Sequence, residues 1–174
     1  MKKLTAAVAA LALFFSASAF GPGPSEEVNA LLNPSAAKIV KSEKVGRLIT
    51  LAFKDQFTNA GEVSWKENQG LYFGYFKQQD QDITVAYTHD GELFAVSRQL
   101  KLSDLPEAVA TTLKEKYGDY TVTDNVSEVT LQGETGYYVS VENKNSSKLV
   151  KILSEGQDEV VKSTRKKVMV GSVM

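Results

Sequence analysis

His89 is the only histidine of the chain, and it stands beside Asp90 in "THDGE". A histidine next to an acid is the beginning of a general-base arrangement, but a catalytic triad also needs a partnered nucleophile. No such arrangement stands out, and with Gly91 following, His89 reads as a hairpin-turn residue. Zinc needs three or four nitrogen or sulfur ligands, and a chain with one histidine and no cysteine does not offer them. Asp80, Asp82 and Asp90 are oxygen ligands of the calcium type. However, "DQD" runs into a strand and not into a glycine-turned loop, so these acids read as a solvated turn. No glycine-rich loop opens a helix to cradle phosphate. The residues therefore imply no metal, no cofactor and no enzyme. Any two carboxylates can meet in space, so a hydrolase with an unrecognised carboxylate pair stays as an alternative.

The N-terminus reads as a signal for export. Lys2 and Lys3 precede the apolar run Leu4 to Phe15, and "ASA" at residues 17–19 fits the small-residue cleavage rule. The run is short for a bilayer span. Cleavage after Ala19 leaves 155 of the 174 residues and lowers the basic count from 20 to 18 against 21 acids, a net charge near −3. A mildly acidic chain of mixed sign lacks the basic footprint that nucleic acid or an anionic membrane requires. The absence of cysteine in an exported chain excludes a disulfide framework and a lipid anchor on a thiol. Periplasm or secretion is the expected location, without stable membrane insertion after cleavage.

Residues 20–42 form a linker, Gly- and Pro-rich at first, with a short helix expected over 26–32. The rest reads as one unit written twice, residues 43–102 and 103–167, followed by an apolar tail, 168–174. Each unit opens with an amphipathic helix. Val45, Leu48, Ile49, Ala52 and Phe53 mark the first, and Leu105, Val109, Leu113 and Tyr117 the second. Ser103 or Asp104 is expected to cap the second helix, with Pro106 in its first turn. Four strands follow each helix: "EVSWKE", "GLYFGYFKQ", "DITVAYT" and "ELFAVSRQL", then "VSEVTL", "GYYVSVEN", "KLVKIL" and "DEVVKST". "HDG" and "SEG" supply turns at the same place in each unit. The expected fold is α+β: a tandem repeat of a helix plus a four-stranded antiparallel meander, with the helices on one face of the sheet and the other face solvated.

The order "AFKDQFTNAGEVSW", "GYF", "YTHDGEL", "SDLPEAVATTLKEKYGDYTV", "GYYVSV", "LSEG" resembles the PepSY-like, or β-lactamase-inhibitor-like, family of small exported bacterial proteins. The resemblance covers residues 43 to 165. "DLP" before an amphipathic helix and the strand "GYYV" are its most specific pieces, and neither is catalytic. It implies a tandem helix-plus-sheet fold and binding or inhibition of another exported protein, with peptidases and other hydrolases as partner classes.

"GLYFGYF" has apolar residues on both faces of one strand. Aligning Gly70 with Gly136 matches Leu71, Phe73 and Tyr75 to Tyr137, Val139 and Val141, which assigns them to the core under the helix. Tyr72, Gly74 and Phe76 then match Tyr138, Ser140 and Glu142 and point outward beside Thr84, Ala86 and Thr88. Gly74 leaves room for a ring or chain to approach. Trp65 and Val63 are assigned to the core, with Val129 and Leu131 as counterparts. The expected partner-binding residues are Tyr72, Gly74, Phe76 and Tyr138, an aromatic platform on an open sheet, unless the 26–32 helix or the tail covers it. The leading function is a non-enzymatic module that binds or inhibits another exported protein. A carrier of small molecules or peptides is the second reading.

Overall fold

Tight turns set the sheet. The computed structural model describes residues 26–32, 38–122 and 126–166; the expected leader and the tail lie outside them. In chain order the elements are α1 (Glu26–Leu32), β1 (Lys38–Val40), α2 (Arg47–Gln56), β2 (Ser64–Asn68), β3 (Leu71–Gln78), β4 (Gln81–Tyr87), β5 (Leu93–Leu100), α3 (Glu107–Tyr117), β6 (Thr121–Val122), β7 (Val126–Leu131), β8 (Glu134–Glu142), β9 (Ser146–Leu153) and β10 (Asp158–Arg165). Gln69–Gly70 and Gln132–Gly133 each place two successive residues at positive φ (52° and 79°; 49° and 88°). That backbone makes a two-residue hairpin whose twist matches its strands. Gln79 and Asp80 repeat it between β3 and β4.

All strands pair antiparallel in one sheet of order β1-β2-β3-β4-β5-β7-β8-β9-β10, and β6 pairs with β8. The eight strands expected from sequence are all present. β1 and β6 were not expected: three and two residues long, they carry too little alternation to read. Neither Ser103 nor Asp104 caps α3. Pro106 occupies the cap position without a side-chain hydrogen bond, and the Ser103 hydroxyl bonds to the Asp104 carboxylate.

α2 and α3 lie on the same face. Val96 and Leu100 share one side of β5 because they are four residues apart. Val96 packs against the core under α2, and Leu100 against the core under α3. The α2 core holds Ile49, Phe53, Trp65, Phe76, Ile83, Val85 and Tyr87; the α3 core holds Val109, Leu113, Tyr117, Tyr137, Val139, Val141, Val150 and Ile152. Leu48, expected inside, is 58% exposed. Two hairpin turns dock on the helices. Gly91 (φ 83°) lies so close to the Leu48 backbone that a Cβ would come within 2.9 Å of it. Gly156 (φ 93°) sits against α3, where its carbonyl accepts a 2.9 Å bond from the Thr112 hydroxyl. Each helix end is also tied down, by Tyr87 to Gln56 (2.8 Å) and by Tyr117 to Asp158 (2.7 Å).

The faces of β3 are the reverse of those expected. Tyr72, Gly74 and Phe76 point to α2. Phe76 is buried in ring contact with Phe53 and Phe57, at 5.1 and 5.2 Å between centroids. The room that Gly74 leaves is filled from within: a Cβ there would lie 3.1 Å from the Trp65 indole and from Val85. Leu71, Phe73 and Tyr75 face the other side, together with Val129 and Leu131, which are therefore not counterparts of Trp65. The cause is parity. The glycine that turns the chain as Gly70 does is Gly133, not Gly136, which lies inside β8 without positive φ. The spacings 63 and 66 differ by an odd number, and an odd slip moves every side chain to the opposite face.

Phe76→Ala should lower stability by about 3–5 kcal/mol, against a change within about 0.5 kcal/mol for Leu51→Ser on the exposed side of α2, as read from urea midpoints. The Lys116 ammonium bonded to Asp158, and then the Tyr117 hydroxyl, hold that carboxyl below its ordinary value. A depressed carboxyl contributes stability above its unfolded pKa and loses it as pH falls through the folded one. The urea midpoint should therefore drop further between about pH 5 and about pH 2 for the parent than for Asp158→Asn.

Candidate functional site

The face opposite α2 and α3 is organised in cross-strand rows. Phe73, Ala86, Ala95 and Leu131 form one row through β3, β4, β5 and β7, and Tyr75, Thr84, Ser97 and Val129 form the next. Gln99, Ser127, Tyr138 and Lys151 continue on β5, β7, β8 and β9. The two middle strands thus contribute only small side chains to the first two rows. α1 lies over them and buries Val28, Ala30 and Leu31 to 3%, 1% and 2% exposure against Phe73, Ala86, Ala95, Val129, Tyr138 and Val161. The face expected to be open is in fact covered by the 26–32 helix.

Of the four expected contact residues, Tyr72, Gly74 and Phe76 lie on the α2 side, where Gly74 and Phe76 are buried and Tyr72 is half-buried. Tyr138 lies on the opposite face, buried near α1. The structure does not bring the four together. Phe73, Tyr75 and Tyr138 do share a face, and Phe94 packs against the same cluster. The sequence signal that could have found them is the repeated Gln-Gly turn before β3 and before β8.

Among the described residues, two hollows on this face stand out. A cleft of about 630 Å³ begins where α1 ends, between Leu31, Leu32, Tyr75, Thr84 and Gln99, and reaches Phe76 and Ile83 with Glu62, Lys77 and Asp82 at its rim. Lys77 pairs with Asp82 at 2.8 Å. The Tyr75 hydroxyl is buried with no hydrogen-bond partner among the described residues, and burial pushes its pKa up to about 12. A smaller hollow, about 220 Å³, lies over Val129, Gly136, Tyr138 and Lys151. Burial raises the Tyr138 hydroxyl. Burial alone would lower Lys151, but a 2.7 Å bond to Glu134 holds it above its ordinary value. The Lys151 stem lies across Gly136, where a Cβ would meet its Cε at 2.8 Å.

His89 stands in the turn between β4 and β5, exposed, its Nε2 3.2 Å from the Asp90 carboxylate. Among the described residues no group of three or more His, Cys, Asp or Glu gathers as metal ligands do. The basic end of β10 is partly paired, Lys166 to Glu142 at 2.7 Å.

Tyr75→Phe removes a buried hydroxyl that has no partner among the described residues. It should raise stability by about 1 kcal/mol, seen as a higher urea midpoint with an unchanged slope.

The chain matches no protein-family model and no curated protein. Its fold is shared with solved structures. A BLIP-like protein from Bacteroides fragilis aligns over 82% of this chain and 96% of its own, at 20% identity and TM-score 0.60. A DUF2874 family protein from Bacteroides uniformis aligns over 69% and 88%, at 18% identity and TM-score 0.61. A protein described as periplasmic, from Bacteroides eggerthii, aligns over 70% and 88%, at 19% identity and TM-score 0.61. The antiparallel sheet with its flanking helices is therefore a fold of the BLIP-like and DUF2874 kind.

Proposed function

We propose that this is an exported, non-enzymatic module, periplasmic or secreted, that binds or inhibits another exported protein through the sheet face opposite α2 and α3. The observation that carries the reading is the set of aromatics on that face. Phe73, Tyr75 and Tyr138 share it, and among the described residues its helical cover is the seven residues of α1. Large aromatics on a rigid sheet present much area at little entropic cost. The neighbouring BLIP-like and periplasmic structures support the compartment and the class, as does the leader pattern at residues 1–19. No described helix is long and apolar enough to cross a membrane. In this reading residues 43–102 and 103–167 descend from one duplicated unit of PepSY-like type, joined to the leader by the linker 20–42. Tyr138 keeps its part in recognition, whereas Tyr72, Gly74 and Phe76 support β3 from beneath. The cleft at the end of α1 is of a size that holds small ligands, which favours a carrier as the second reading.

A photo-crosslinking amino acid at Gln99, beside the cleft, compared with one at Lys114 on the exposed side of α3, tests the proposal in the native exported fraction. A discrete protein adduct from position 99 and none from 114 is expected. Adducts from 114 alone, or equal yields from both, would place recognition elsewhere. A small molecule that stays with the purified chain in native mass spectrometry, with no adduct, would favour the carrier.

A further inference from the structure

We propose that Tyr120 is an acyl-accepting tyrosine, a modification site in which the Lys148 ammonium and the Asn143 amide surround a half-buried phenol that takes an acyl group from an activated acyl donor. The site lies on the α3 side of the sheet and does not depend on what the opposite face binds.

The local fold brings these groups together. Tyr120 follows α3 and packs against the α3 core. Its ring meets the Tyr117 ring edge to face, at 6.0 Å between centroids. Thr121 and Val122 pair with Glu142 and Val141 on β8, which sets Tyr120 beside the turn from β8 to β9. That turn is built on Asn143. Its side-chain carbonyl accepts 2.9 Å bonds from the backbone N–H groups of Asn145 and Ser146, and a 3.3 Å bond from the Ser146 hydroxyl. With the oxygen so occupied, the amide nitrogen is the end that donates to the phenol. Lys148 on β9 holds its ammonium 4.6 Å from the centroid of the Tyr120 ring. A cation over an aromatic face is attracted to its electrons, and more so when the phenol ionises.

The neighbouring acids are engaged elsewhere. Glu142 pairs with Lys166 at 2.7 Å. Asp158 bonds to Lys116 and to the Tyr117 hydroxyl, and Asp119 is exposed. Hydrogen bonds from Lys148 and then Ser146 hold the Tyr120 phenol below its ordinary value, against a smaller opposing effect of burial. The seven tyrosines of the chain supply the comparison. Tyr87, Tyr117, Tyr137 and Tyr138 are buried, and so is the Tyr75 hydroxyl. Burial pushes all five up, Tyr75 and Tyr87 to about 12. Tyr72 is half-buried, as Tyr120 is, but Lys148 and Asn143 stand at Tyr120.

The phenolate is the nucleophile. Its oxygen forms a bond to the acyl carbon, the bond from that carbon to the leaving group breaks, and the leaving group departs with the electron pair. The phenol's proton passes to water or to the leaving group. Below the phenol pKa, the phenolate fraction rises about tenfold for each unit by which that pKa falls, and nucleophilicity falls less steeply than that, so the lowered phenol reacts first.

The test treats the full chain with N-acetylimidazole near neutral pH and follows each tyrosine peptide by mass spectrometry. Reversal by hydroxylamine separates phenol esters from acetylated lysines. Tyr120 should be acetylated at least about threefold faster than Tyr72. Lys148→Met should erase that lead, and Lys148→Arg, which keeps the cation, should retain it. Cooperative unfolding in urea checks the fold of each variant; if Lys148→Met does not fold, the ratio in the parent decides. Equal rates at positions 120 and 72 in the parent would overturn the proposal. So would a lead that survives Lys148→Met, because exposure and not the surrounding donors would then set it.

Discussion

The structure depends on one geometric constraint: side chains along a strand alternate, so no residue of β3 can serve both faces. β3 carries apolar groups on each side, and both sides are covered. Tyr72, Gly74 and Phe76 support α2, while Phe73 and Tyr75 meet α1 and the cleft at its end. Because both rows are apolar, the pattern alone would not stop a single-residue slip; shape does, since only Gly74 fits against the Trp65 indole and Val85 under α2. The rest of the sheet builds outward from that register through antiparallel pairing.

The α2 layer and the α1 layer differ in how they are held. Under α2 a connected set of rings (Phe53, Phe57, Trp65, Phe76) meets at centroid distances of 5.1 to 5.5 Å. Gly74 makes the set possible by leaving the Trp65 indole its place. The docking of Gly91 and Gly156 on the helices, and the tyrosine hydroxyls at the helix ends, join turn to helix and helix to sheet. On the other face a two-turn helix rests on Phe73, Ala86, Ala95, Val129 and Tyr138, with a cleft at its end and a hydroxyl that has no partner among the described residues. Rigid support on one side and a partial cover on the other suit a recognition surface, since the strands that present it are held from behind.

Much of the fold was legible in the sequence because periodicity and turn chemistry are local. The eight long strands, the helices at α2 and α3, and the roles of "HDG" and "SEG" all rest on patterns a few residues long. Facing was not legible. "QGETG" offers two glycines, and only the backbone shows that Gly133 turns the chain while Gly136 sits in a strand under the Lys151 stem. Choosing Gly136 reversed β3 and moved Tyr72, Gly74 and Phe76 to the surface. The cover was likewise beyond local reading. The helix at 26–32 was expected, but where so short a helix docks is decided by distant residues such as Ala86, Ala95 and Tyr138. Of the four residues expected on that face, Tyr138 alone lies opposite the two long helices, where Phe73 and Tyr75 are its aromatic neighbours under α1.

The assignment of the two faces of β3 is tested most directly by nuclear Overhauser contacts in solution. The account predicts contacts from the Phe73 ring to the Leu31 methyls and from the Phe76 ring to Phe53 and Phe57. Contacts between Phe73 and Phe53, with Phe76 free of both rings, would contradict it and return β3 to the opposite facing.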